Sequence, residues 1–240
     1  MKRFMPVLIT LLLTVVLLSG CVEGKFHITL NKDGSADINY RIGFDRSLLA
    51  LLQSDQENPL EEMRKSAKEE GFTVKNYSED KMVGIIATKH VNSLDELPNF
   101  ANVAAGGDSA EPPLIIEESF FKKQYHFETN VDLSDMKETP EDDLGGLGNA
   151  MLSQVNLRFI LTLPFTPQHH NAAVVRDDGQ TLEWHLIPGQ DNQITMEASV
   201  PNTTNIALVI AGSVIILLGI VFVVHRSKAS QKDEIIDKNN

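Results

Sequence analysis

The sequence predicts an α+β fold, with largely antiparallel sheet, two or three helices and one C-terminal transmembrane helix. Three observations carry this reading. Apolar residues alternate with period two near both ends of the central region, and helical spacing interrupts them in between. A 19-residue uncharged run, Ile206 to Val224, is long enough to span a bilayer.

The elements follow in order. Met1-Lys2-Arg3 is a short positive segment, and Met5 to Leu18 is an apolar stretch of 14 residues. That suits a secretory h-region and falls short of the ~20 residues a spanning helix needs. The run closes in Leu18-Ser19-Gly20-Cys21, which resembles a bacterial lipobox. There a transferase attaches diacylglycerol to the thiol, and a dedicated peptidase cuts just before the cysteine. Small residues at 19 and 20 suit a tight peptidase site. Residues 1–20 are therefore expected to be a signal peptide, and residues 21–25 a linker lipidated on Cys21. Cys21 is the sole cysteine, so the exported domain folds without disulfides.

The expected domain runs over residues 26–200. Phe26, Ile28 and Leu30 alternate with polar neighbours, Asn31-Lys32-Asp33-Gly34 turns the chain, and Ala36, Ile38, Tyr40 and Ile42 resume the alternation. This is a hairpin with one buried face. Asp45 caps a helix bearing Leu48, Leu49, Leu51 and Leu52, and Leu60, Met63 and Ala67 mark a second helix that ends at Gly71. Residues 72–77 and 82–90 read as a strand pair. Ser93 and Glu96 form a capping-box pattern, and residues 114–116 and 123–131 read as further strands. Val155, Leu157, Phe159, Leu161 and Leu163 alternate again. A meander through Leu182, Trp184, Leu186, Ile194, Met196 and Ala198 follows, punctuated by Asp177-Asp178-Gly179 and Pro188-Gly189.

Residues 201–205 are expected to link the domain to the transmembrane helix at 206–224. Uncharged residues precede that helix, whereas Arg226, Lys228 and Lys232 follow it. The positive-inside rule thus assigns residues 225–240 to a cytoplasmic tail, whose short mixed-charge end, Gln231 to Asn240, is expected to be solvated and unstructured. The signal peptide independently assigns the bulk of the chain to the extracytoplasmic side of the cell membrane.

Charge narrows the function. The chain carries 21 basic and 33 acidic residues, and residues 22–204 alone carry 15 and 30, a net −15. Nucleic acid is excluded as a partner, since binding it needs a basic patch. Strong attraction to anionic headgroups is excluded too. The membrane-lipid partners are expected through Cys21 and Ile206–Val224.

The search for chemistry finds no catalytic set. Gly-x-Ser-x-Gly and His-Glu-x-x-His are missing, and the Ser-x-x-Lys matches at 78, 119 and 134 lack their companion motifs. Asn31-x-Asp33-Gly34 reads as a turn rather than a calcium loop. His169-His170 would point to opposite faces of a strand, which disfavours a metal pair. No metal or cofactor is expected. Trp184 alternates with leucines, as a core residue does. In the segment 141–151, Leu144, Leu147 and Met151 stand among Gly145, Gly146 and Gly148. Two readings stay open: an ordinary surface loop with tucked apolar side chains, or a hinged lid over a ligand.

The lipobox, the hairpin 26–42 and the stretches Phe159-Ile160-Leu161-Thr162-Leu163-Pro164, His170-Asn171-Ala172 and Gly179-Gln180-Thr181-Leu182-Glu183-Trp184 resemble the LppM-type bacterial lipoprotein domain. That resemblance implies an extracytoplasmic α+β domain, often followed by a spanning helix. It supplies no catalytic residues, and points toward association with envelope lipids or glycolipids. The function expected is a doubly anchored, non-enzymatic binding module for an envelope lipid, glycolipid or polymer. The alternatives are an accessory or structural subunit of a membrane complex with a membrane-protein partner, and an envelope enzyme of unrecognised type.

Overall fold

A computed structural model describes residues 20–52, 59–93, 96, 114–137 and 152–237. Leu18, Ser19 and the segments 101–113 and 141–151, with Leu144, Leu147 and Met151, lie outside the described residues. In chain order the elements are β1 (Val22–Leu30), β2 (Ala36–Asp45), α1 (Arg46–Leu52), α2 (Pro59–Glu69), β3 (Thr73–Glu79) and β4 (Met82–Val91). Then come β5 (Leu114–Glu118), β6 (Lys122–Asp132), β7 (Val155–Thr162), β8 (His169–His170), β9 (Val174–Arg176), β10 (Thr181–Leu186), β11 (Asp191–Pro201) and α3 (Thr203–Asp237). A seven-stranded sheet has the order β3-β4-β2-β1-β7-β10-β9, and a four-stranded one the order β5-β6-β11-β8. The chain divides into two compact units: residues up to Ile115 with Tyr125–Ala198, and Ile116–Gln124 with Ser199 onward.

In the first unit, the β1–β2 hairpin is set by its turn. The Asp33 carboxylate accepts bonds from the Ser35 backbone N–H at 3.0 Å and hydroxyl at 2.7 Å. Gly34 takes φ +90°, a conformation that a side chain would strain. The pairing runs from Leu30 opposite Ala36 to Val22 opposite Phe44.

Strand β1 therefore starts at Val22, and residues 22–25 are strand rather than linker. The alternation is hidden in the sequence because Gly24 occupies an inward position. A Cβ there would lie 2.6 Å from Leu157 Cδ2, so the neighbouring strand takes the space a side chain would fill. On its other edge β1 pairs with β7, in parallel, Phe26 opposite Phe159. The other pairings of this sheet are antiparallel.

Helix α1 begins where the Asp45 carboxylate accepts the Ser47 N–H at 2.8 Å. Helix α2 ends as anticipated near Gly71, which adopts φ +84°, while the Phe72 N–H returns to the Ala67 carbonyl at 2.9 Å. The main core sits on one face of the large sheet. Phe26, Ile28, Ile38, Phe159, Leu161 and Trp184 meet Phe127, Val131, Ile194 and Met196 from the second sheet. Phe127 and Phe159 stack at 5.7 Å. A smaller cluster joins Phe44, Leu49 and Leu60, with Val22 and Met63 packed against it.

The second unit holds the β5–β6 turn and α3. Ser119 N–H bonds to the Lys122 carbonyl at 2.8 Å, closing the turn. Strand β11 ends at Pro201 and α3 begins at Thr203, so residues 201–205 are not a linker. Asn202 alone separates the two elements. Its side-chain oxygen accepts the Asn205 N–H at 3.4 Å and its carbonyl the Ile206 N–H at 3.1 Å, a helix N-cap. The helix also outlasts its apolar run and continues to Asp237, where an unstructured tail was expected. Neither glycine nor proline occurs after Gly219 to stop it. Its stretch Thr203–Phe222 has a mean hydropathy of 2.7 and is long enough to cross a membrane.

Candidate functional site

A cleft of about 390 Å³ opens in the first unit between α2 and the sheet face formed by β2 and β4. The local sequence explains its shape. Tyr40 and Ile42 project from β2, and Ile85 and Ala87 from β4, with Tyr40 directly opposite Ala87 and Ile42 opposite Ile85. Helix α2 lays Met63 and Ala67 over them, and Phe72 closes one end. Ala67 and Ala87 are small, so helix and sheet leave space between them. Glu62, Ser66 and Glu70 complete the lining with polar groups.

One lining side chain carries a polar atom that is itself covered. Tyr40 is 5 % exposed, held edge-on by Phe26 at 5.3 Å and tilted against Phe72 at 5.1 Å. Its hydroxyl is buried and has no hydrogen-bond partner among the described residues. Burial, followed by the nearby Glu70 carboxylate, drives its pKa far above the ordinary phenol value. The group is therefore a neutral donor and acceptor at any physiological pH. Lys89 stands beside this end, with Nζ on the Glu70 carbonyl at 2.9 Å and 5.4 Å from the Phe72 ring centre. The cleft is thus apolar in its walls, with one unsatisfied hydroxyl and a mixed polar edge. Such a site takes a ligand part that is mostly apolar and carries an oxygen or nitrogen.

The opposite face of the large sheet carries a polar network that the sequence did not single out. Glu183 is 2 % exposed and pairs with Arg176 at 2.6 Å, His185 at 3.0 Å and Arg158 at 3.7 Å. Burial pushes its pKa up, but Arg176, His185 and Arg158 together outweigh burial and hold the carboxyl below its ordinary value. Beside it, His27 bonds to Thr162 at 3.0 Å, and burial lowers its pKa. The register aligns these rows, His27 opposite Ile160 and Ile160 opposite Glu183. Arg158 also reaches the Glu23 carboxylate at 3.6 Å, so two arginines face two carboxylates and the network is compensated and structural. Separate segments supply its members, and only strand register brings them together.

The sequence-predicted residues are placed as follows. Gly20 and Cys21 stand at the entrance to β1. The Cys21 thiol donates to Gln154 Oε1 at 2.6 Å, and its carbonyl accepts the Asp45 N–H at 2.7 Å. His169 and His170 make up β8 and are both exposed. Trp184 is a core residue, tilted against Phe159 at 5.6 Å, and its indole N–H donates to Asn171 at 2.7 Å. The cleft residues Tyr40, Met63 and Ala67 were visible as apolar positions of one strand and one helix. What the sequence lacked was the information that those two faces meet imperfectly.

Comparison with known proteins settles the family. Residues 24–200 match the LppM domain. The chain belongs to the LppM family. A relative from Archaeoglobus fulgidus, described as an uncharacterized protein, is 26 % identical over 228 residues, covering 92 % of this chain and 96 % of its own. That likeness extends beyond the LppM domain into the terminal segments. The folded domain of LppM from Mycobacterium tuberculosis, solved by NMR, is similar at 17 % identity and a TM-score of 0.46, covering 78 % of this chain and 95 % of its own. In LppM-domain terms, the cleft, the Glu183 network and the Trp184–Asn171 pair all lie within the matched residues.

Proposed function

We propose that this protein is a membrane-anchored, extracytoplasmic, non-enzymatic module that binds the apolar part of an envelope lipid or glycolipid in the cleft beneath α2. The observation that carries the reading is the Tyr40 hydroxyl, buried and unpartnered beside a cleft whose walls are mostly apolar. An unsatisfied buried hydroxyl costs about 1–3 kcal/mol, and a ligand oxygen that meets it after a small shift of the Tyr40 ring would remove the cost. The family match supports a lipoprotein-like envelope protein. Lipidation of Cys21 and membrane insertion of Ile206–Val224 would then hold the domain at the extracytoplasmic surface, its short C-terminal end in the cytoplasm. The net charge of −15 over residues 22–204 opposes recognition through anionic headgroups, so apolar burial drives binding and salt has little effect.

The test is extraction of the full chain from its own membrane in mild detergent, with mass spectrometry of co-purified lipid. Ser66 lies on the exposed side of the cleft, so Ser66→Trp fills the opening without disturbing the core. It is expected to lower bound lipid about tenfold, equivalent to ~1.4 kcal/mol. Tyr40→Phe is expected to weaken retention of molecules bearing a polar group near the chain. Equal lipid on the unsubstituted and Ser66→Trp chains, or none on either, refutes the reading.

A further inference from the structure

We propose that the β5–β6 turn, led by Phe120 and Phe121, inserts into the bilayer interface beside the point where α3 enters it. The proposal rests on the reading of α3 as a membrane-spanning helix. All the residues concerned belong to the second compact unit. Phe120 and Phe121 are 58 % and 56 % exposed, their rings edge-to-face at 4.8 Å. Beyond this mutual contact both rings stay more than half exposed, and paired apolar area of this kind marks a contact surface.

The occupant follows from the hydrogen bonds. The Phe121 carbonyl accepts the Asn202 N–H at 2.8 Å, and the Phe120 carbonyl accepts the Asn205 side chain at 3.0 Å. Asn202 caps α3 and Asn205 lies in its first turn, while the uncharged run begins at Ile206. The backbone that carries the two rings is thus tied to the first turn of an apolar helix. A helix whose membrane run starts at Ile206 places that turn in the headgroup region, where aromatic side chains concentrate. The flanking charges agree. Glu117 and Glu118 are matched by Lys122 and Lys123, and Lys123 pairs with Glu118, so the turn is neutral although residues 22–204 are strongly acidic. The long lysine stems can carry their ammonium groups to phosphate level while the rings sink below it. A lipid surface fits this pattern of exposed phenylalanines followed directly by two lysines.

The experiment uses the full chain reconstituted at low protein-to-lipid ratio in phosphatidylcholine vesicles. The lipids are brominated either near the headgroup end of the acyl chains or near their tips. The native Trp184 is 4 % exposed and supplies a constant, shielded background. Phe121→Trp and Phe120→Trp report on the turn, and Val214→Trp on the middle of α3. The tryptophan at 121 or 120 is expected to lose about half its emission to shallow bromine and less to deep bromine, as an interfacial residue does. The tryptophan at 214 should show the reverse order. If residue 214 is quenched while neither turn variant is, the turn stays out of the lipid and the proposal is overturned. A blue-shifted but unquenched turn tryptophan means that a second copy covers the rings, which also overturns it. If residue 214 escapes quenching, α3 does not span the bilayer, and both readings fall together.

Discussion

Replacing Asn171 by Ala removes the polar pin of the core tryptophan. The Asn171 side chain makes three hydrogen bonds: its oxygen accepts the Trp184 indole N–H at 2.7 Å and the Thr195 N–H at 2.9 Å, and its amide donates to the Gln193 carbonyl at 2.8 Å. The three losses are unequal. The Thr195 and Gln193 bonds are open to solvent, so water replaces Asn171 there at little cost. Trp184 is only 4 % exposed, and its indole is left without that partner. The expected destabilisation is about 1–3 kcal/mol, almost all from the stranded indole N–H. At about 2–4 °C per kcal/mol for a domain of this size, melting falls by about 2–12 °C. The assay is urea unfolding of the detergent-solubilised full chain, followed by far-ultraviolet circular dichroism so that tryptophan variants are comparable. A double-mutant cycle with Trp184→Phe isolates the pair, because phenylalanine keeps an aromatic ring and loses the donor, and the cost of its smaller volume cancels in the cycle. Asn171→Ala should cost at least ~1 kcal/mol less in the Trp184→Phe background. An identical cost in both backgrounds refutes the argument that the indole bond is what Asn171 supplies.

Further outcomes follow from the same geometry. Glu183→Gln should cost about 1–3 kcal/mol at neutral pH through loss of the ion pair with Arg176 and of a carboxylate acceptor for His185. The folded-state pKa of Glu183 is lowered, so its contribution is present above the unfolded value near ~4.3 and lost as pH falls through the folded one. Urea titrations should therefore show the two proteins converging below about pH 4, and a gap that widens on acidification contradicts the assignment. Gly84→Ala should destabilise by about 1–3 kcal/mol or prevent folding, because its Cβ would lie 2.0 Å from the Ile42 carbonyl oxygen and 2.6 Å from Tyr77 Cε1. Gly212→Ala, with open space around it, should leave stability unchanged or slightly raised in the same unfolding assay. Cys21→Ala should yield a larger, unlipidated chain that still sediments with membranes through Ile206–Val224. Its release in soluble form would show that the helix is no anchor.

Local patterns were enough wherever one element's own chemistry decides its state. The Asn31–Gly34 turn, the Asp45 cap, the Gly71 stop and the alternating strands are each specified within a few residues, and all appear where the sequence places them. The long apolar run at 206–224 is equally local, since length and absence of charge suffice to define it. The Asn202 cap that removes the expected linker is local too, its bonds reaching only residues 205 and 206, but Gly24 hid the start of β1 because its inward place is taken by Leu157, far away in sequence. The parallel pairing of β1 with β7 belongs to the same class: residues 27 and 160 become neighbours only when the sheet assembles. So do the Glu183 network and the cleft. A buried carboxylate is tolerable only after arginines arrive from two other strands, and a cleft is the volume that α2 and the sheet fail to fill. Apolar periodicity determines which side of an element turns inward; the fit between two inward sides, and hence the space left for a ligand, is a property of their packing alone.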